Sequence, residues 1–279
     1  MALSFSRSKP DRCLIADTSP PHFVLPYQGL RWLCIKGATS AIAIALSANG
    51  KAHLRLATAS ERADLPPISG PHVWIRLTGQ NEGEITATFT EGAETLTLKV
   101  NVLHWRWMAV NFFLVTDAFG TPTFNASETT LEIQKLDTVY HAQAAIDFRR
   151  HLPTKNVKVN LDCSLPMTGA QEDAMWDAFR NLTPAACRTS SFFNVFVVRE
   201  WGGHDDPDRD YNAWATSHGV YIVIDDQAFS NPGPVLPHEI GHSMGLEHLN
   251  EAGYVMRQGL EKGWKLKWAH VETVRTYVD

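Results

Sequence analysis

The chain has 279 residues, 44% hydrophobic and 20% charged, enough apolar material for one large domain or two modest ones. A net charge of −5 and a pI near 6.2 give it no electrostatic footprint for nucleic acid or an anionic membrane surface, so neither is expected as a partner. No apolar run is long enough to span a bilayer, so membrane insertion is not expected, and the stretch Met1-Ala2-Leu3-Ser4-Phe5-Ser6-Arg7 lacks the apolar centre of a secretory signal. Residence in the cytosol, export by a signal-independent route, or excision from a longer chain all remain open. The four cysteines, Cys13, Cys34, Cys163 and Cys187, contain no CxxC pair, which argues against a metal site built on them. Sequence-local pairing of Cys13 with Cys34 and of Cys163 with Cys187, and four reduced buried thiols, are both compatible with the sequence.

Residues 1–21 are polar and proline-containing and read as a loose lead-in. Residues 22–103 carry β signals. Ile42, Ile44 and Leu46 alternate with small residues, Asn49-Gly50 supplies a hairpin turn, and Leu54 and Leu56 alternate on the return. Val73-Trp74-Ile75-Arg76-Leu77 is a further strand. Ile85, Ala87 and Phe89 lead into the turn Glu91-Gly92-Ala93-Glu94, and Leu96, Leu98, Val100 and Val102 follow it. Short strands at this spacing predict an all-β sandwich similar to bacterial immunoglobulin-like modules, acting as a docking module or as a passive spacer.

His104-Trp105-Arg106-Trp107 marks the boundary, with an interdomain contact preferred over base stacking because only one arginine is present. From there, residues 104–279 read as α/β. Val110-Asn111-Phe112-Phe113-Leu114-Val115 is an apolar run of the kind seen in a strand covered on both faces. Thr129 and Glu132 are placed to form a capping box, with Ile133, Leu136 and Tyr140 at helical spacing behind them. Ala145-Ile146-Asp147-Phe148 and Val157-Lys158-Val159-Asn160-Leu161 read as strands. Thr168 and Gln171 open a second helix, with Met175, Trp176, Phe179 and Leu182 on one face. Phe193-Asn194-Val195-Phe196-Val197-Val198 and Val220-Tyr221-Ile222-Val223-Ile224 are strands again. A helix beginning near Pro237 and a last helix from about Trp268 complete the chain.

The helix near Pro237 carries His238-Glu239-Ile240-Gly241-His242-Ser243-Met244-Gly245-Leu246-Glu247-His248, which is HExxHxxGxxH. On a helix, His238 and His242 project from one face and can hold one Zn²⁺. Glu239 can reach a water there without being a ligand. Gly245 tolerates the positive φ of a sharp bend that returns His248 as a third nitrogen. Three ligands with one position left over is the arrangement of a catalytic rather than a structural zinc site. Five specified positions match by chance in a chain this long roughly once in ten thousand, so the motif outweighs composition as a clue.

This pattern resembles that of the metzincin metallopeptidases, and Met256, eight residues past His248, fits the Met-turn of that family. The resemblance implies a zincin catalytic domain with a mixed twisted sheet, an active-site helix, a Met-turn and a C-terminal helix over residues 104–279. The helix near residues 169–182 looks like an insertion in it. It implies a zinc-dependent endopeptidase with Glu239 as general base and His238, His242 and His248 as ligands. It also implies a polypeptide substrate that pairs with the strand at residues 220–224, the upper rim of the cleft. Leu249 and Gln258 stand where named subgroups carry their own marker residues, so no subgroup matches, and Gln258 excludes a tyrosine ligand from that position. Tyr254 is a candidate oxyanion or packing residue, and His218 a candidate substrate contact or surface histidine. Cys13 follows a segment faintly similar to the latency peptide of matrix metalloproteases. The carboxylate-rich loop 202–210 is a candidate for Ca²⁺ or for a solvated loop.

A signal-less peptidase with a β-module suits a bacterial secreted effector or toxin whose module docks to a delivery apparatus or another partner. Two other readings are an idle zinc fold that works through its β-module and a zinc amidase acting on cell-wall peptides. Retention of Glu239 speaks against the idle fold.

Overall fold

The computed structural model describes residues 3–5, 14–39, 41–47, 50–202, 213–216, 220–230, 233–258 and 262–279. The architecture is mixed α/β with several sheets. The chain divides into two compact units, Met1–Trp105 with Ala142–Ala145, and Arg106–His141 with Ile146–Asp279. Among the described residues, no helix is long and apolar enough to cross a membrane.

The first unit contains β1 (Ser4–Phe5), β2 (Leu14–Ile15), β3 (His22–Pro26), β4 (Leu30–Lys36), β5 (Ala43–Leu46), β6 (Ala52–Leu56), α1 (Ala59–Ala63), β7 (His72–Gly79), β8 (Gly83–Glu91) and β9 (Glu94–Leu103). Its strands form two sheets, ordered β1-β4-β7-β6 and β2-β3-β9-β8-β5. Leu33, Ile35, Ile75 and Leu77 from one sheet and Phe23, Leu25, Ile85, Phe89, Leu98 and Val100 from the other join a single buried cluster. That is what a period of two selects on a pleated strand. Gly92 at φ 61° lets β8 and β9 reverse in two residues, with Glu91 paired to Glu94.

The hairpin expected around Asn49-Gly50 does not form. β5 pairs with β8 and β6 with β7, so the two strands belong to different sheets. Alternation and a turn signal specify two half-buried strands and a reversal; they do not say which sheet the returning strand joins. Gly50 has φ 88°, and Asn49 lies outside the described residues.

The second unit follows with β10 (Arg106–Thr116), α2 (Ala126–Leu136), a π-helical turn at Asp137–His141, and α3 (Ala142–Ala144), which clusters with the first unit. Then come β11 (Ile146–Arg150), β12 (Lys155–Lys158), α4 (Gly169–Leu182), β13 (Phe192–Val198), β14 (Ala213–Ala215), β15 (Tyr221–Asp225), α5 (Val235–Ser243) and α6 (Trp268–Val278). β10 runs parallel to β11, β12 and β13; β15 runs parallel to β13, and β14 runs antiparallel to β15. Val110, Phe112, Phe113 and Val115 are all buried, so both faces of β10 are covered and alternation is lost.

α4 opens with the expected Thr168–Gln171 box, the Gln171 side chain accepting from the Thr168 amide at 2.9 Å. It lies on the crossover between β12 and β13, both of which run parallel to β10. Its Phe179 stacks on Phe196 at 4.0 Å between ring centroids, and Phe196 stacks on Phe113 at 4.7 Å. Beside this stack a buried amide pair fixes register: Asn111 donates to Asn194 at 2.9 Å, and Asn194 donates to the Cys187 carbonyl.

Several expectations give way here. The box that opens α2 is Asn125 with Glu128, one turn upstream of the expected one, and Thr129 and Glu132 lie buried inside the helix. Two overlapping frames satisfy the same pattern, and the earlier one meets the free amides first. The strand expected over residues 157–161 ends at Lys158. Cys163 and Cys187 are separate buried thiols rather than a disulfide. Cys34 is buried, and Cys13 lies outside the described residues, as do His218 and residues 203–210 of the acidic loop. β15 is flanked on both sides, by β13 and β14, so it cannot be the rim. That edge falls to β14, whose three residues Ala213, Trp214 and Ala215 are too few to announce a strand by alternation.

Candidate metal centre

α5 starts at Val235, two residues before the expected point, with Pro237 in its first turn, where a missing N–H leaves no bond unmade. Leu236 and Ile240 are fully buried, so the helix is fixed in the interior rather than laid on a surface. His238 and His242 share one face. Beyond Ser243 the helix closes in a Schellman turn. The Leu246 amide donates to the Gly241 carbonyl and the Gly245 amide to the His242 carbonyl, both at 2.9 Å, with Gly245 at φ 86°. This bend returns His248 to the other two histidines.

The three Nε2 atoms lie 3.0–3.2 Å from one another. The Nδ1 of His238 is 2.7 Å from the Val255 carbonyl and that of His242 is 2.8 Å from the Leu246 carbonyl. A carbonyl can only accept, so each Nδ1 carries the proton and each facing Nε2 is a bare lone pair. The close approach of His238 and His242 is therefore not a hydrogen bond. Bare lone pairs at this distance repel, and a cation between them turns the repulsion into attraction. Burial also holds both rings neutral. It pulls the pKa of His238 down to about 2, helped by the charge of Lys262, and that of His242 down to about 4. Among the described residues, His238, His242 and His248 are the group able to hold a metal ion.

Two buried side chains support this helix at Gly241. A Cβ there would collide with the Met256 sulfur and stand 3.1 Å from the Tyr140 hydroxyl. Tyr140, delivered by the π-helical turn, donates to the Pro237 carbonyl at 2.7 Å. Met256, expected as support, is fully buried and lies under the histidine helix. The sequence places Tyr140 only at helical spacing behind Ile133 and Leu136; the π turn that aims it leaves no mark in periodicity.

Glu239 is buried, and burial raises its carboxyl to about 7 against the opposing pull of Lys262. Lys262 carries no signal in the sequence, where it sits in a patternless stretch. Tyr254 lies in the turn beneath the site. Its carbonyl accepts the Gly263 and Arg257 amides, and the Lys267 ammonium stands 5.4 Å from its ring centroid.

No family model matches the sequence, and no curated protein matches it. Loose likenesses exist among solved structures. Metalloproteinase-II from Bacteroides fragilis aligns over 91% of this chain and 85% of its own, at 10% identity and a TM-score of 0.44. A chaperone–substrate complex aligns over 72% of this chain and 38% of its own, at 11% identity and a TM-score of 0.39. Domains 4–9 of the surface layer protein SbsC align over 37% of this chain, at 12% identity and a TM-score of 0.26; this chain spans only 14% of that one. With all three scores below 0.5, the reading of the site rests on its own geometry.

Proposed function

We propose that this chain is a zinc-dependent endopeptidase with His238, His242 and His248 as ligands and Glu239 as general base. The observation that carries the reading is the convergence of three Nε2 atoms within 3.0–3.2 Å, two of them with their Nδ1 protons committed to carbonyls. Tetrahedral zinc with Zn–N near 2.05 Å calls for nitrogens about 3.3 Å apart, and an all-imidazole donor set suits zinc. Zinc held there supplies a Lewis acid with one open position, able to polarise a carbonyl and acidify a water. The Val255 and Leu246 carbonyls keep two rings in the ligating tautomer. Glu239, with a carboxyl near neutrality, takes a proton from the attacking water and returns it to the leaving amine. β14, at the sheet edge and packed beside α5, offers backbone for an extended peptide to pair with.

The first unit we read as an immunoglobulin-type sandwich. Its order β1-β4-β7-β6 corresponds to strands ABED of that architecture, and the β9-β8-β5 part of the other sheet to GFC, with β2 and β3 added beyond β9. Its proposed role is docking to a partner or a delivery apparatus, in a bacterial effector setting. A tagged chain that stays in the producing cytosol under all conditions would count against that setting.

The test of the chemistry is digestion of a denatured proteome by wild type and by Glu239→Ala, with and without chelator, reading the new peptide termini. The expected outcome is termini that vanish with either the substitution or the chelator, a loss of at least about 10³-fold in rate, and full metal content in the variant. Stoichiometric zinc without Glu239-dependent termini would favour an amidase or an idle fold.

A further inference from the structure

A side-chain nitrogen on a helix surface lies about 6 Å from the axis, so a rotation of about 10° carries it through about 1 Å. A metal–nitrogen bond tolerates a misplacement of about 0.2 Å. The spacing of His238 and His242 along α5 therefore aims their rings only if the helix is held against rotation. α5 cannot hold itself. It has nine residues and no side-chain cap at its N-terminus, and a helix that short is not stable in isolation. Its angle is fixed from outside.

Pro237 and Gly241, four residues apart, form the flank of α5 that adjoins the histidine face. Two side chains close on that flank. The Tyr140 hydroxyl donates to the Pro237 carbonyl at 2.7 Å and would stand 3.1 Å from a Cβ on Gly241, while the Met256 sulfur would collide with the same Cβ. Inside an α-helix the regular partner of a carbonyl is the amide four residues on, so the hydroxyl adds location rather than a missing bond. Tyr140 is fully buried, and burial keeps its phenol protonated as a permanent donor. Its own place is set by the π turn Asp137–His141, whose Asp137 carboxylate accepts the Phe148 amide at 3.1 Å, with the Tyr140 and Phe148 ring centroids 5.4 Å apart. Such turns are rare and concentrate at functional sites; this one delivers a hydroxyl to the peptide group that precedes a ligand.

We propose that Tyr140 is a positioning residue of the metal centre: its hydroxyl, seated on the Pro237 carbonyl, sets the rotation of α5 at which the His238 and His242 nitrogens converge. The inference rests on the metal site of the reading above and holds whatever substrate that site serves.

The test compares the whole chain as wild type, as Tyr140→Phe and, for control, as Asn194→Leu, a residue of the same unit whose side chain bonds to Asn111 and the Cys187 carbonyl. The Kd of zinc is read by competition with a chromophoric chelator, and the geometry of the ligands from the visible absorption bands of the cobalt-loaded proteins. Tyr140→Phe is expected to weaken zinc about 10–100-fold, the range for partners that orient a ligand, and to change the cobalt bands in position or intensity. Zinc should also raise its unfolding temperature less than it raises that of wild type. Asn194→Leu should lower the unfolding temperature and leave the zinc Kd and the cobalt bands as in wild type. Tyr140→Met is read in the same way if the phenylalanine variant does not fold. A phenylalanine or methionine variant with the wild-type Kd and cobalt bands overturns the role of Tyr140 and leaves the metal centre intact. Equal weakening of zinc by Asn194→Leu would reduce the effect to general loosening and overturn it too. A wild type that takes up neither zinc nor cobalt stoichiometrically overturns the metal centre, and this inference with it.

Discussion

Gly241 shows how much a single position carries. In an exposed helix, replacing glycine by alanine stabilises by roughly 1 kcal/mol through backbone entropy. Here the added methyl meets the Met256 sulfur and crowds the Tyr140 hydroxyl, so the sign reverses. Gly241→Ala is expected to destabilise by about 1–3 kcal/mol, the range for overpacking a filled interior, and to weaken metal binding because the helix carrying His238 and His242 must shift. Urea midpoints with and without metal check both halves, and a more stable alanine variant would refute the packing account. Gly241 is legible in HExxHxxGxxH only as an unspecified x. Its crowding comes from residues that are remote in sequence: Tyr140 bonds to Pro237 across 97 positions.

At the scale of elements, two devices hold the second unit in register. The Schellman turn at Gly245 brings His248 back, and the chain could announce it because motif, bend and third histidine all fall within eleven residues. The Asn111–Asn194 pair could not be foreseen, since each asparagine sits alone in an apolar strand and only the β10–β13 register brings them opposite. Asn194→Leu would leave the Asn111 amide group and the Cys187 carbonyl short of a partner in the interior. It is expected to cost about 1–3 kcal/mol, read from the denaturation midpoint. If the double variant Asn111→Leu with Asn194→Leu costs as much as the sum of the singles, the pair is not acting as a unit.

At the scale of the whole molecule, metal bears on the second unit, and one bridged carboxylate makes the first unit sensitive to acid. If three neutral histidines face one another for a metal, its removal leaves their lone pairs opposed. Chelation should then lower the unfolding temperature of the second unit as well as abolish hydrolysis, and added zinc should restore both. Unchanged melting on chelation would argue against a stoichiometric site. In the first unit, Glu61 bridges Arg55 at 2.7 Å and Arg76 at 2.8 Å and closes the capping box of α1. The hydrogen bond from Arg55 is the largest of the influences that hold its carboxyl below the ordinary 4.5. A depressed carboxyl binds fewer protons folded than unfolded, so its contribution is complete above 4.5 and fades as pH falls through the lower folded value. Wild type should therefore exceed Glu61→Gln in stability at pH 7, and the gap should narrow in strong acid. An equal gap at both ends of the titration would sink this assignment.

What the amino-acid order settled alone is what lies within a few residues: the ligand spacing, the glycine bend, the alternation of β7, β8 and β9, the turn at Gly92 and the cap of α4. Each depends on backbone geometry whose period is two or 3.6 residues, and such periods report which face of an element is buried. They do not report what it is buried against. The sheet assignments of β5 and β6, the edge position of β14 and the support of α5 by Tyr140 were decided by packing between distant segments. There, the mutual fit of whole surfaces outweighs any local preference.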